Sequence, residues 1–316
     1  PKTVRGKIKK FNYTATQSFS PFGNYFTFST DGVIIANYTT QRTYYSESFN
    51  EKNISLDNLN NWLDKWIKEC TEEDLKEIEK EMLEKKIDLA VHSLKDMPQK
   101  TPEGLINISF PAREDSRDVL VSKTGKSLKN LPKGAVIGTG SARRKKEILN
   151  LRDDLSVKGI RGNIHTRLKK LDTEDYDAIV LAAAGLKRTG MTDKITEYLS
   201  GEVFPPAPAQ GVLYIQCREN DKEIKEILKS IHNEAVAKIV EIEREFSKIF
   251  DGGCHTPMGC YSQINEDKIK FTAVYLDEGK QIKAVVEDSL AKGKEIAYTA
   301  ADDITQKTNK RNVSKK

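Results

Sequence analysis

One stretch of this chain repeats itself, and the repeat limits the folds open to it. Gly134 to Leu171 reads GAVIGTGSARRKKEILNLRDDLSVKGIRGNIHTRLKKL. Each half holds a short apolar run, Ala135 to Ile137 and then Leu155 to Ile160, followed by a Gly-containing turn and a segment with helical spacing. That is the strand, loop, helix order of an α/β unit, so both turns should open helices.

A helix N-terminus carries partial positive charge and unpaired N–H groups, so cations in its first turn are unfavourable unless an anion sits there. Arg143 and Arg144 stand in that place behind Thr139 and Ser141, and Arg161, Asn163 and Arg167 repeat the arrangement. For one such loop a solvated basic face is the plainer reading. Two in succession at the ends of buried-looking strands favour a ligand pocket, because open α/β sheets bind ligands there. The expected ligand carries several carboxylates or phosphates.

A length of 316 residues leaves room for two or three domains. No apolar run approaches the ~18 residues that cross a bilayer, so a soluble protein is expected. Fifty-two basic and 47 acidic side chains leave a net charge of +5, too small an excess to imply nucleic acid. Cys70, Cys217, Cys254 and Cys260 lack the spacing of a disulfide framework, and no signal peptide is visible. These features point to a reducing, cytoplasmic compartment, or to an organelle if a targeting segment has been removed ahead of Pro1.

In the first seventy residues, short strands at Tyr25 to Phe28 and Val33 to Tyr38 and a helical spacing at Leu56, Leu59, Leu63 and Trp66 are the only signals. Thr71 then caps a helix predicted to reach about Lys85, with Leu75, Ile78 and Met82 on its buried face. Ile87 to Val91 is a compact strand that runs into His92-Ser93-Leu94-Lys95-Asp96-Met97-Pro98. A lone Asp in a loop is usually a turn residue, but Asp96 follows a Lys at a strand end and is a candidate catalytic carboxylate.

The charges of Arg113 to Val121 (REDSRDVLV) read as a solvated or inter-domain salt-bridge patch. Tyr176 to Ala184 is another buried strand, followed by Lys187 and Arg188. Pro205 to Gly211 (PPAPAQG) is the kind of linker that crosses between domains, and it leads into a strand at Val212 to Cys217. An amphipathic helix at Asn233 to Phe250 stops at Asp251-Gly252-Gly253, ahead of Cys254-His255-Thr256-Pro257. Zinc is not expected, since no second Cys pair or spaced His set exists. A buried free thiol is the bland reading of Cys254; a Gly-rich loop can also expose a nucleophilic sulfur.

Seven blocks now stand in order: DLAVHSLKDMP, REDSRDVLVS, GTGSARRKKEIL, IRGNIHTRLKKL, AAAGLKRTG, PAPAQGVLYIQCREND and DGGCHTPMG. Together, from about Thr71 to about Ser262, they resemble hydroxymethylbilane synthase, also called porphobilinogen deaminase. The resemblance implies a transferase of haem biosynthesis that joins four porphobilinogen units head to tail, with loss of ammonia. The product is the linear tetrapyrrole hydroxymethylbilane, built on a dipyrromethane cofactor held as a cysteine thioether.

It implies Cys254 as the attachment point, and Lys95, Ser93, Thr139, Ser141, Arg143, Arg144, Arg167 and Arg188 as cofactor contacts. Arg161, Asn163, Arg144 and Arg167 would hold substrate carboxylates. Asp96 would be catalytic, stabilising the cationic azafulvene left when ammonia departs. No residue of the first seventy is carried over, because the family's opening segment has no counterpart in GKIKKFNYTATQ.

The implied fold is α/β in three domains, two resembling the lobes of type II periplasmic binding proteins and a small α/β C-terminal domain. Residues 1–103 would form the first lobe, completed by about 200–218 with Gln210 in the returning linker. Residues 104–199 would form the second lobe and 219–316 the cofactor-bearing domain. The expected partner is porphobilinogen, on a monomer without metal, nucleic acid or membrane. The tail after about Glu266 matches loosely, and Lys307 to Lys316 reads as a disordered basic end. Two other classes remain. A two-lobed binder of a small polyanion would need no covalent cofactor, and a nucleic-acid binder would show aromatics among its cations.

Overall fold

The computed structural model describes residues 2–6, 13–20, 23–30, 33–39, 68–69, 72–98, 100–250, 257–277 and 280–314. The helical spacing at 56–67, the Thr71 cap and the Cys254 loop lie outside the described residues. The chain divides into two units, Pro1–Ala112 with Val212–Asn233, and Arg113–Gly211 with Glu234–Lys316.

The first unit opens with strand β1 (Lys2–Gly6) and an antiparallel meander of β2 (Tyr13–Ser20), β3 (Gly23–Thr30) and β4 (Val33–Thr39). The short strands expected near Tyr25 and Val33 lie within β3 and β4. After β5 (Lys68–Glu69) comes the helix Glu72–Leu83. It stops just before Lys85, whose φ of 61° leaves the right-handed helical region. Ile78 and Met82, four residues apart, are buried against Ile87, Ala90 and Leu105. Burying side chains of this size contributes about 1.5–3 kcal/mol each, which fixes the helix on its sheet. Strands β6 (Leu89–Ser93) and β7 (Leu105–Ser109) follow.

The second unit begins with β8 (Asp118–Ser122), β9 (Val136–Gly138), β10 (Ser156–Lys158), β11 (Ala178–Ala182) and β12 (Glu197–Tyr198). The sheet order is β10-β9-β11-β8-β12. β9 runs parallel to both β10 and β11, while β8 is antiparallel to β11 and pairs Asp118 with Ala182. Helices Ala142–Leu151 and Ile164–Thr173 follow β9 and β10, as the repeated strand, turn, helix pattern requires. A short helix, Ala183–Arg188, follows β11. The C-terminal ends of three parallel strands and the N-terminal end of β8 therefore share one edge.

The chain returns to the first unit at Gly211, the crossing point that PPAPAQG suggested. Gly211 has φ +81°, and a Cβ there would stand 2.5 Å from the Glu114 carbonyl oxygen, so only glycine fits. Strand β13 (Leu213–Arg218) inserts between β6 and β7, giving an antiparallel sheet of order β5-β1-β6-β13-β7.

The helix Glu234–Ile249 re-enters the second unit, where β14 (Met258–Asn265), β15 (Lys268–Asp277) and β16 (Lys280–Ser289) form an antiparallel sheet. Ile242 and Phe246 share its core with Phe271, Ile282, Ile296 and Ile304. The last helix, Lys294–Ser314, corrects the expectation of a disordered basic end from Lys307. Lys307 Nζ donates to the Lys283 carbonyl at 2.7 Å and to Asp303, so the basic residue is a tie rather than a tail.

Glu243 joins the two layers of this unit. Its carboxylate is fully buried and takes a bidentate pair from Arg113 at 2.8 and 3.0 Å. It also accepts from the Ala209 N–H and the Ser262 hydroxyl, both at 2.7 Å. Four donors on two oxygens are what a carboxylate needs to remain charged out of water.

Candidate functional site: a carboxylate turn and a cationic strand edge

In the first unit, β6 ends at Ser93 and the chain turns at once into a single 3-10 turn, Leu94–Asp96. The turn is pinned by its apolar residues: Leu94 and Met97 are buried, the Leu94 N–H donates to the Val212 carbonyl at 3.0 Å, and Met97 N–H closes the turn onto Leu94. Ser93, Lys95 and Asp96 are left half-buried between these anchors. Beneath them, His92 is fully buried, stacks on Tyr214 with ring centroids 5.0 Å apart, and places Nε2 3.3 Å from Gln216 Oε1. The strand end thus carries an ammonium and a carboxylate, both half-buried, at consecutive positions.

In the second unit, the shared sheet edge collects the predicted cations. Ser141 is the N-cap of Ala142–Leu151, accepting from the Arg144 N–H, and the Thr139 hydroxyl accepts from the Ser141 N–H at 3.2 Å. Asn163 caps Ile164–Thr173 in the same way, accepting from the Thr166 N–H at 2.8 Å. The two loops touch: a Cβ on Gly140 would lie 3.1 Å from the Ile160 carbonyl oxygen. Arg161 is exposed, Arg167 donates Nε to the Gly162 carbonyl at 2.6 Å, and Arg188 donates to the Gly211 carbonyl at 2.9 Å.

Arg143 and Arg144 are buried, and the anion that their position demands is in the chain. Asp118, fully buried, takes Arg143 Nη2 on one oxygen and Arg144 Nη2 on the other, each at 2.6 Å. Gln210 Nε2 adds a third bond to it at 2.8 Å. Arg144 Nη1 reaches the Val180 carbonyl, while Arg143 Nη1 contacts Glu147 at 2.5 Å and the Pro205 carbonyl at 2.8 Å. Burial alone would raise the Asp118 pKa, but the guanidinium groups of Arg144 and Arg143 outweigh it and hold the carboxyl well below the usual range. Glu147 goes the other way: burial pushes it up to about 8 against the pull of Arg143.

One residue of REDSRDVLV departs from the reading of a solvated or inter-domain salt-bridge patch: Asp118 is fully buried and is the hub of the cationic edge. Arg113 pairs with Glu243. Arg117 with Asp115 and Lys187 with Glu114 do form partly exposed salt bridges. The missed signal was Asp118 itself, an acidic residue opening a run of buried apolar positions, which cannot remain charged there without a cation partner.

Whether this edge suits a polycarboxylate can be read from its donors. Among the described residues, Arg143 Nε and Arg144 Nε are buried with no hydrogen-bond partner. A buried donor left without a partner costs about 1–3 kcal/mol, which an arriving carboxylate would recover. Cys254 lies outside the described residues, between the end of the helix Glu234–Ile249 and β14.

Fold and site together define an α/β protein with a cationic strand edge and a half-buried carboxylate in the turn that ends a strand. Residues 60–226 match the family described as porphobilinogen deaminase, dipyrromethane cofactor binding domain, and residues 237–308 match the porphobilinogen deaminase C-terminal domain. The porphobilinogen deaminase of Fusobacterium nucleatum subsp. nucleatum is 75% identical over 232 residues, 73% of this chain and 78% of that one. That of Oceanobacillus iheyensis is 52% identical over 204 residues, 64% of this chain and 66% of that one. The Exiguobacterium sibiricum enzyme is 43% identical over 248 residues, 73% of this chain and 80% of that one. The chain belongs to the porphobilinogen deaminase family. The similarity continues to residue 308, so the tail past Glu266 belongs to the family too.

Proposed function

We propose that this chain condenses four porphobilinogen units head to tail, releasing ammonia at each step, to make hydroxymethylbilane. The observation that carries the reading is the match of residues 60–226 to the cofactor binding domain, a span that holds both the Leu94–Asp96 turn and the Asp118-centred edge. The dipyrromethane, when bound, supplies the free pyrrole α-position on which the chain grows; the sulfur of Cys254 would hold it.

The protein's own groups would divide the work. Asp96 would face the positive charge that develops on a pyrrole as ammonia leaves, and would hold the pyrrole N–H proton. Lys95 and Ser93 beside it would orient the ring acids. Thr139, Ser141, Arg143, Arg144, Arg167 and Arg188 would hold the cofactor's carboxylates. Arg161 and Asn163, with Arg144 and Arg167, would take those of incoming substrate. Every pyrrole brings an acetate and a propionate, and fixed guanidinium forks suit such pairs.

Among the described residues no helix is long and apolar enough to cross a membrane. We place the protein in the cytoplasm as a monomer, with porphobilinogen as its partner and no metal, nucleic acid or membrane. The test is the intact mass of the purified chain, read with porphobilinogen consumption. An added mass of two linked pyrroles, lost when Cys254 is replaced by Ser, together with turnover, is expected. A chain that neither gains that mass when given porphobilinogen nor consumes it overturns the reading.

A further inference from the structure

Among the described residues, Asp118 is the carboxylate of the cationic edge that serves two arginines at once. Its oxygens meet Arg143 Nη2 and Arg144 Nη2 at 2.6 Å each, and its third bond comes from Gln210. Every partner is nine-tenths buried or more, so none of these contacts is diluted by water. The backbone explains why an acid stands here: β8 is antiparallel to β11, so its first residue, paired with Ala182, lies where the parallel strands end.

The consequence is directional. With both Nη2 atoms turned to Asp118, and with Nη1 of Arg144 on Val180 O and of Arg143 on Glu147 and Pro205 O, the nitrogen of each guanidinium left without any partner among the described residues is Nε. Two side chains with long, flexible stems are thereby reduced to one orientation apiece, and the rotamer entropy that a ligand would otherwise have to freeze is lost at folding. Glu147 holds only Arg143 and cannot do this for Arg144.

We propose that Asp118 is a positioning residue of the reaction, turning Arg143 and Arg144 so that their Nε edges receive a pyrrole carboxylate. The inference rests on the family activity proposed above. Removing the partner that orients a metal-binding side chain costs about 10- to 100-fold, and by analogy a loss of about that size is expected when the partner orienting these carboxylate-binding arginines is removed.

The experiment compares Asp118→Asn, Arg144→Gln and the double variant with the unaltered chain, measuring kcat and KM for porphobilinogen, intact mass for cofactor occupancy, and thermal stability. If Asp118 acts through Arg144, Asp118→Asn raises KM more than it lowers kcat and reduces cofactor occupancy, and the double variant is no worse than Arg144→Gln. Such non-additivity marks residues that share one path. A folded Asp118→Asn chain with unaltered KM and full occupancy overturns the proposal, as do losses that multiply in the double variant. Should Asp118→Asn not fold, the charge-balanced double variant is compared with Arg144→Gln alone; a further tenfold loss refutes, equality supports. If the unaltered chain shows neither cofactor mass nor turnover, the functional reading fails and this proposal with it. If only the variants behave otherwise than stated, the functional reading stands and the Asp118 proposal falls.

Discussion

Replacing Glu243 by Ala is the most informative stability test, because the structure fixes its magnitude. The change leaves the Arg113 guanidinium, whose side chain is 11% exposed, without its counter-charge, and strips acceptors from the Ala209 N–H and the Ser262 hydroxyl. Breaking a buried pair by removing one partner costs about 3–5 kcal/mol, and orphaning a neutral buried donor adds about 1–3 kcal/mol where no water replaces it. Taking about 4 kcal/mol as a cautious total, and about 2–4 °C per kcal/mol for a unit of this size, the melting temperature should fall by roughly 8–16 °C. Differential scanning calorimetry with urea unfolding measures it. The paired variant Arg113→Leu with Glu243→Leu supplies the contrast: with both charges gone it should lie closer to the unaltered chain than Glu243→Ala does. A fall of under about 2 °C in Glu243→Ala would refute the reasoning, since a buried guanidinium cannot lose its partner so cheaply.

Three further outcomes are expected. Asp96→Ala, at a half-buried turn position, should leave stability within about 0.5 kcal/mol while lowering kcat by at least about 100-fold; retained turnover would remove the carboxylate from the chemistry. Gly211→Ala, forced into φ +81° with its Cβ 2.5 Å from the Glu114 carbonyl, should cost at least about 1 kcal/mol in urea unfolding, and a neutral result would mean that the turn can adopt another conformation. Asp118 gives the acid limb of the stability profile. Its folded pKa is depressed, so its contribution is complete above the unfolded carboxyl value of about 4 and is lost as pH falls below it. Thermal melts from pH 7 down to 3 should fall more steeply for the unaltered chain than for Asp118→Asn, and parallel curves would count against the assignment.

Local patterns were legible because local physics made them. The repeat at 134–171 delivered two strand, turn and helix units with Ser141 and Asn163 as caps, since capping and helical spacing depend on residues three or four apart. The same holds for PPAPAQG, whose glycine marks the point where the chain leaves one unit for the other. Even the demand for an anion behind Arg143 and Arg144 could be stated from helix electrostatics alone.

Which anion answers that demand was decided by tertiary structure. Asp118 lies about 25 residues before the arginines and looked like one more charge in an alternating run. The antiparallel setting of β8 against β11 carries its carboxylate to the edge where the parallel strands end. Arg113 reaches Glu243 across 130 residues for the same kind of reason, and Lys307 stops being a loose tail once β16 offers it a carbonyl. Spacing along a chain reports periodicity and caps. Pairing between distant charges depends on strand order, direction and register, and these follow from how whole elements bury their apolar faces together.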